Sequence, residues 1–560
     1  MTIETISFEK GINTKKSPLF LTEGEMVSCS GFDFKYGGQI ECRTPVALNK
    51  SISDSGTVNG IHRYNDSIIA SLKALCPGEQ AYFNYIYRRD VDGSYSNIDL
   101  LQGNSRPVFV DFENFIFCVD GEAKRAFIDR KDYEWGITNP NTIPTLAAGA
   151  AGNPDGEYNC YVTYYVTFPN DKVVETGPSA IATVTVSSQK ISWSDIPICY
   201  YQGVDLLIYR RLYRTVSGVA YLVTTLKDNV STTYTDNVTD ATLQESSIIG
   251  TTGYSTFPDN MVDVENYLQR IFAIKDNRLY WSEAYAPFSV KTTSNVVVTK
   301  DEEELVSVIA WGDQLYLVSK EKWRRLLGSD PDTWAIKQTF SDTGIINRST
   351  LKRSKYGLIG LWYDGVYLFD GTINKNISER YLGKDFFLDL DTTLCYAEFD
   401  GQIYSFYYDG GCLRFDFAYY PDLIISNNDF IAEAHEFHKD TGINYYGYDG
   451  DEYVDSTDET IVTSLQTGDK SFGNITKKKN LEYLYYDINT GGVDVTVSFY
   501  IDGTVSSNTL TLNTSSRVRK RSPMLPYLEG YRVSIKIDCA DSKDLVIYAP
   551  WVLSGTLVGD

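Results

Sequence analysis

Short runs in which aromatic or aliphatic residues alternate with polar ones recur along this chain, most of them opening from a tight turn built on Asp, Asn or Gly. Clear copies occupy residues 112–121, 275–281, 311–318, 362–371, 400–406 and 446–453. Asp-Gly or Asn-Gly before alternation predicts a hairpin, because both central residues of a type I′ turn need positive φ. From Asn277 onward the turn positions Asn277, Asp313, Asp364, Asp400 and Asp449 lie 36, 51, 36 and 49 residues apart. Spacings of about 40 to 50 residues are what one four-stranded propeller blade consumes. Helix-length amphipathic stretches are almost missing, and residues 262–274 come nearest to one.

The repeat is interrupted twice. A linker rich in Pro, Gly and Ala at residues 139–154 precedes evenly spaced short strand patterns at 158–168, 180–187, 190–193, 204–213, 220–226 and 232–236. Such spacing over one stretch suits a fibronectin-III-like module. Beyond Lys477, alternating runs around residues 481–486, 493–500, 532–537 and 544–548 suggest a second small sandwich. The expected fold is therefore all-β: a β-propeller-like core of repeated hairpin or blade units, with an inserted fibronectin-III-like β-sandwich and a C-terminal β-sandwich. The expected boundaries are 1–138 for the first part of the propeller, 139–250 for the insertion, 251–472 for the rest of the propeller and 473–560 for the terminal sandwich.

Composition supports the strand reading. The 43 Tyr and 26 Phe against 4 Met favour pleated, half-buried surfaces, where flat and branched side chains pack across strands. Nine cysteines without a CxxC pair or metal-ligand spacing read as reduced thiols of a protein folded in a cytoplasm. The first residues lack a basic and apolar leader, and no apolar run approaches the roughly 20 residues of a membrane span.

Net charge is −23, which argues against a generic nucleic-acid binder. The charge is uneven: residues 379–459 hold 19 acidic and 4 basic residues, so they supply −15. The sharper reading is a surface kept slippery for a polyanion. The plain alternative is a solvated acidic face.

Catalytic chemistry is sparse. His435 and His438 stand i,i+3, whereas a zincin needs i,i+4 on a helix. Ser329-Asp-Pro-Asp-Thr-Trp334 has the flavour of a sialidase Asp-box, one residue out of step and without its glycine. No P-loop, nucleophile elbow or Rossmann fingerprint is present. The basic clusters 477–479 and 517–521 read as solvated or interface charge. The expectation is a chain that is not an enzyme and has no cofactor, metal or catalytic residue.

Three stretches carry a resemblance. The opening Gly11-Ile-Asn-Thr14, Ser17-Pro18, Gly24-Glu25, Phe32-Asp-Phe34, Gly38 and Arg43 resembles the N-terminal motif of tail nozzle (tail hub, packaged-DNA stabilisation) proteins of short-tailed bacteriophages. Residues 313–319, 327–330, 342–344 and 363–371 look like that family's propeller core, and 156–158, 175–179, 209–211 and 234–236 like its fibronectin-like insertion. The resemblance implies a homohexameric ring in the virion tail, bound to the adaptor ring and to tail fibres or spikes, with viral dsDNA leaving through it unbound. In such a ring Asp385, Asp389, Asp391, Asp400, Asp409, Asp416, Asp449, Asp451 and Asp455 are the candidates to line the channel and repel the passing DNA, and the resemblance transfers no catalytic residue. The competing reading is a receptor-binding or polysaccharide-binding propeller of a tail fibre, or a depolymerase.

Overall fold

The computed structural model describes residues 2–558 except 36–37, 54–55, 65–66, 77–80, 91, 129–130, 202–205, 251–252, 301–302 and 429. Its repeated unit is the hairpin that the turns dictate. Between Leu305–Trp311 and Gln314–Ser319 the two turn residues, Gly312 and Asp313, sit at φ 56° and 58°. Asp449 and Gly450 do the same between Ile443–Tyr448 and Asp451–Asp455. These left-handed values suit Gly and Asp and match the twist of the flanking strands.

Among the described residues, seven four-stranded antiparallel units form a closed β-propeller. Blades 1 to 6 span residues 57–101, 108–134, 263–297, 305–338, 352–376 and 396–427. Blade 7 takes three strands from 434–455 and its fourth, Val46–Ser51, from the other end of the chain. That strand ties the ring shut. Middle strands such as Phe115–Val119 and Gly365–Phe369 are buried at every position, because neighbouring blades cover both of their faces. One apolar cluster fills each gap, as with Phe272, Leu279 and Leu315, Leu317 between blades 3 and 4.

The insertion between blades 2 and 3 folds as a three-stranded and a five-stranded sheet around Val162, Ile191, Trp193 and Leu212. Its strand expected at 204–213 starts in residues outside the described ones and is seen as Leu207–Val216. The insertion is packed onto the propeller: Phe168 stacks on Phe288 with centroids 4.0 Å apart and planes 4° from parallel.

Residues 262–274, the nearest approach to a helix-length amphipathic run, form a hairpin, Asp263–Tyr267 and Arg270–Lys275, with Leu268 and Gln269 at φ 49° and 54° in its turn. One expectation is corrected: the first strands form no blade of the propeller and, among the described residues, pair with it only where Gly11 and Ser30 meet the edge strand of blade 6. Thr2–Ile6, Gly11–Ile12, Glu25–Ser30, Phe32–Lys35 and Gln39–Cys42 complete the sheets of the C-terminal sandwich. Ile6, Phe8, Met26, Phe32 and Ile40 fill its core beside Leu484, Ile537, Trp551 and Leu553. The C-terminal strands alone would leave that apolar face wet.

Candidate functional site

Each blade turns one end strand toward the propeller axis: Thr57–Tyr64, Val108–Phe112, Asp263–Tyr267, Leu305–Trp311, Lys352–Ser354, Tyr396–Phe399 and Ala434–His438. Charged residues from six of them meet there. His62 Nε2 lies 2.8 Å from Asp111 Oδ1 and its Nδ1 3.4 Å from Glu436 Oε1, with the ring stacked on Phe109. Burial opposes a charge on His62, but the hydrogen bonds and charges of Asp111 and Glu436 outweigh it and lift the imidazole to about 10. Lys352 pairs with Glu398, and Arg353 with Glu265. Burial, reinforced by the Glu436 charge and only partly offset by Lys352, pushes Glu398 up to about 7. Burial likewise raises Glu265, whose Oε2 accepts from the Ala310 N–H at 3.2 Å. A carboxyl near 7 beside a second carboxyl can exchange protons at neutral pH.

Two guanidiniums sit where the opening strands begin. Arg106, on the connection from blade 1 to blade 2, donates to the carbonyls of Asn59 at 3.0 Å and Glu433 at 2.8 Å, and its guanidinium sits 4.0 Å from the centroid of the Tyr396 ring. Arg348, from the connection between blades 4 and 5, donates to the Arg106 carbonyl at 2.7 Å. Burial lowers the pKa of both. Arg106 thus links the ends of the opening strands of blades 1, 6 and 7 at that end of the axis, and Arg348 braces it. Cavities of about 770 and 750 Å³ lie elsewhere, at the junction of propeller and sandwich around Lys10, Arg380 and Tyr381, and between blades 3 and 4 around Arg270, Trp281 and Trp334. Trp334, the last residue of the Asp-box-like turn, packs edge-on to Trp281 at 4.9 Å in the second of these.

The acidic residues singled out from the sequence divide by topology. Connections between blades and second hairpin turns share one face of a propeller. Asp385 and Asp389, at the helix Lys384–Leu388, and Asp391 precede blade 6; Asp409 and Asp449 occupy second turns and Asp451 follows one. All six therefore lie toward one face. Asp400, Asp416 and Asp455 lie toward the other and are engaged locally. Asp400 accepts from the N–H groups of Gln402 and Ile403, Asp416 from Gln402 and Ala418, and Asp455 from Asn444 and Tyr446. None of the nine reaches the axis of its own propeller.

His435 is buried between Tyr407 at 3.1 Å and Asn444 at 2.9 Å, and burial depresses it to about 3, while His438 meets Thr441. No group of three or more His, Cys, Asp or Glu among the described residues is placed to hold a metal. No helix among them is long and apolar enough to cross a membrane. The axial ring escaped the sequence reading. Its signal was a charged residue third in the strand that opens a blade, as with Glu265, Glu398 and Glu436.

No family model and no curated protein matches the chain. Solved structures it is similar to include a computationally designed protein, with TM-score 0.33 and 8% identity over 73% of this chain and 98% of that one. Others are a glycoside hydrolase family 43 arabinoxylan arabinofuranohydrolase from Bacillus subtilis (0.19, 9%, 90% and 96%) and an exo-beta-1,3-galactanase from Phanerochaete chrysosporium (0.20, 8%, 91% and 100%). They correct one expectation: glycoside hydrolases stand among the matched structures, so a chain without catalytic activity is no longer assumed. At TM-scores this low they assign it no reaction or substrate either.

Proposed function

We propose that this chain is a ring-forming subunit of a short bacteriophage tail, the nozzle through which the genome leaves. One observation carries the reading: the residues of the N-terminal motif that resembles that family are the ones that weld propeller to sandwich. Gly11, at φ 70°, pairs with Ile425 of blade 6, and a Cβ there would lie 2.4 Å from the Ile425 carbonyl oxygen. Asn13 donates to Glu25 at 3.0 Å and to the Arg380 carbonyl at 3.4 Å. Asp33 pairs with Arg414 of blade 6 at 2.7 Å. The motif therefore joins the two bodies of the subunit, as a ring under load requires. With Arg106 and Arg348 tying the opening strands together at one end of the propeller axis, the conduit in this reading runs between copies. The mass of the purified protein tests it: six copies in a ring with an open centre are expected, and a trimer or a permanent monomer refutes it.

A second reading, a tail propeller that binds or cleaves polysaccharide, is favoured by the axial pair Glu398 and Glu436. It predicts turnover of a host capsular polysaccharide that Glu398→Gln abolishes. Binding without turnover leaves a receptor-binding role, and neither refutes it.

A further inference from the structure

The outward face of the sandwich is basic in an otherwise acidic chain. Arg517, Arg519 and Arg521 alternate along one strand edge, opposite Asp487 and Tyr485 of the strand Lys479–Asn489. Arg517 and Arg519 share the single carboxylate of Asp487, each through two hydrogen bonds of 2.7–2.9 Å. Arg521 has no ion pair among the described residues, so three guanidiniums face one carboxylate. Two are held flat on tyrosines, Arg517 at 3.8 Å from the Tyr548 centroid and Arg521 at 4.5 Å from that of Tyr483. Stacking extends the side chains and leaves their N–H edges outward, so less entropy is lost when a carboxylate arrives. The Arg519 side chain is 79% exposed.

The propeller offers the complement. Asp385, Asp389, Asp391, Asp409 and Asp449 are exposed on one face of blades 6 and 7, and none has an ion-pair partner among the described residues. We infer that the Arg517–Arg519–Arg521 face of one copy docks on this aspartate face of the next copy. The inference rests on the ring reading and deepens it. Copies that each carry −23 repel one another at long range, so association needs a local patch of opposite sign. Because the two patches sit on different bodies of the subunit, the contact is head to tail, the kind that closes into a ring when the rotation suits. Mutual charge complementarity also sets partner and register.

The experiment compares the solution mass of three charge-reversed full chains with that of the wild type at about 0.1 M and 0.5 M salt, with thermal melting as the fold control. D385K/D389K/D409K should melt like the wild type, and R517E/R519E/R521E, made together with D487N so that no buried carboxylate loses its cations, should melt like the D487N chain; each should assemble at least tenfold more weakly than its parent, and a chain carrying both sets should assemble again. Reversed chains that form the wild-type ring overturn the inference and leave the ring reading standing; a wild type that stays monomeric at both salts overturns both. Two further outcomes overturn it. In one, the arginine variant assembles normally but loses retention of a single-stranded DNA 20-mer. In the other, the aspartate variant assembles normally but particles carrying it release DNA slowly, which assigns that face to the channel lining.

Discussion

Replacing Arg414 by Met tests the joint between propeller and sandwich. The Arg414 side chain is 10% exposed and lies 2.7 Å from Asp33, itself 28% exposed, so the pair is enclosed on one side and wetted on the other. Breaking a fully buried pair by removing one partner costs about 3–5 kcal/mol, while an exposed pair is worth about 0–1. The intermediate exposure places this loss at about 2–3 kcal/mol, most of it from leaving the Asp33 carboxylate without its cation. Methionine keeps the stem volume and so limits any cavity. Trp551, fully buried in the sandwich core, is the only one of the eight tryptophans in that sandwich, so the difference in fluorescence between the parent chain and a Trp551→Phe chain follows the sandwich alone. With a urea slope of about 2–3 kcal/mol/M, its midpoint should fall by about 1 M. Asp33→Asn in both backgrounds closes a double-mutant cycle with a coupling of at least about 1 kcal/mol. A midpoint shift under about 0.2 M, or a coupling near zero, would refute the joint as an energetic link.

Gly11→Ala should destabilise the same transition by at least about 2 kcal/mol, since it adds a Cβ against backbone at positive φ; Gly410→Ala, with open space around it, should cost about 1. His62, raised to about 10 in the fold from 6.5, contributes stability that is complete below pH 6.5 and is lost as pH rises through about 10. The stability gap between wild type and His62→Gln should therefore shrink between pH 6.5 and 10.5 in urea titrations, and parallel curves would contradict the ion pairs. Glu398 has the same sign in a lower window. Its folded pKa of about 7 lies above 4.5, so the unfolded chain loses its proton first and the wild type loses stability as pH rises from 4.5 to 7. Glu398→Gln should gain on the wild type over that window by up to about 3 kcal/mol, and a gap independent of pH counts against the buried carboxyl.

Local chemistry was enough to read the hairpins. Gly312-Asp313 and Asp449-Gly450 favour left-handed φ whatever surrounds them, and alternation across them defines strands whether or not a ring closes. Chain-order spacing picked one turn from each of blades 3 to 7, but alternately the second and the first, which is why the intervals of 36, 51, 36 and 49 residues are uneven. At residues 262–274 a 3.6-residue and a 2-residue reading of the same apolar positions compete, and the turn at Leu268-Gln269, with neither Gly nor Asp, gives no local sign of the hairpin. Tertiary structure alone decided three things. It sent Val46–Ser51 across the chain to blade 7 and the first 42 residues to the far sandwich, because strand edges and apolar faces are satisfied by whichever partner fits, not by the nearest in sequence. It brought His62, Asp111, Glu265, Glu398 and Glu436, spread over some 370 positions, around one axis, since every blade points its opening strand inward. It also sorted the acidic stretch, engaging Asp400, Asp416 and Asp455 in local hydrogen bonds while leaving Asp385, Asp389 and Asp409 exposed. Charge is additive along a sequence, but its reach depends on which face of a sheet or turn a side chain leaves, and only the closed propeller sets that.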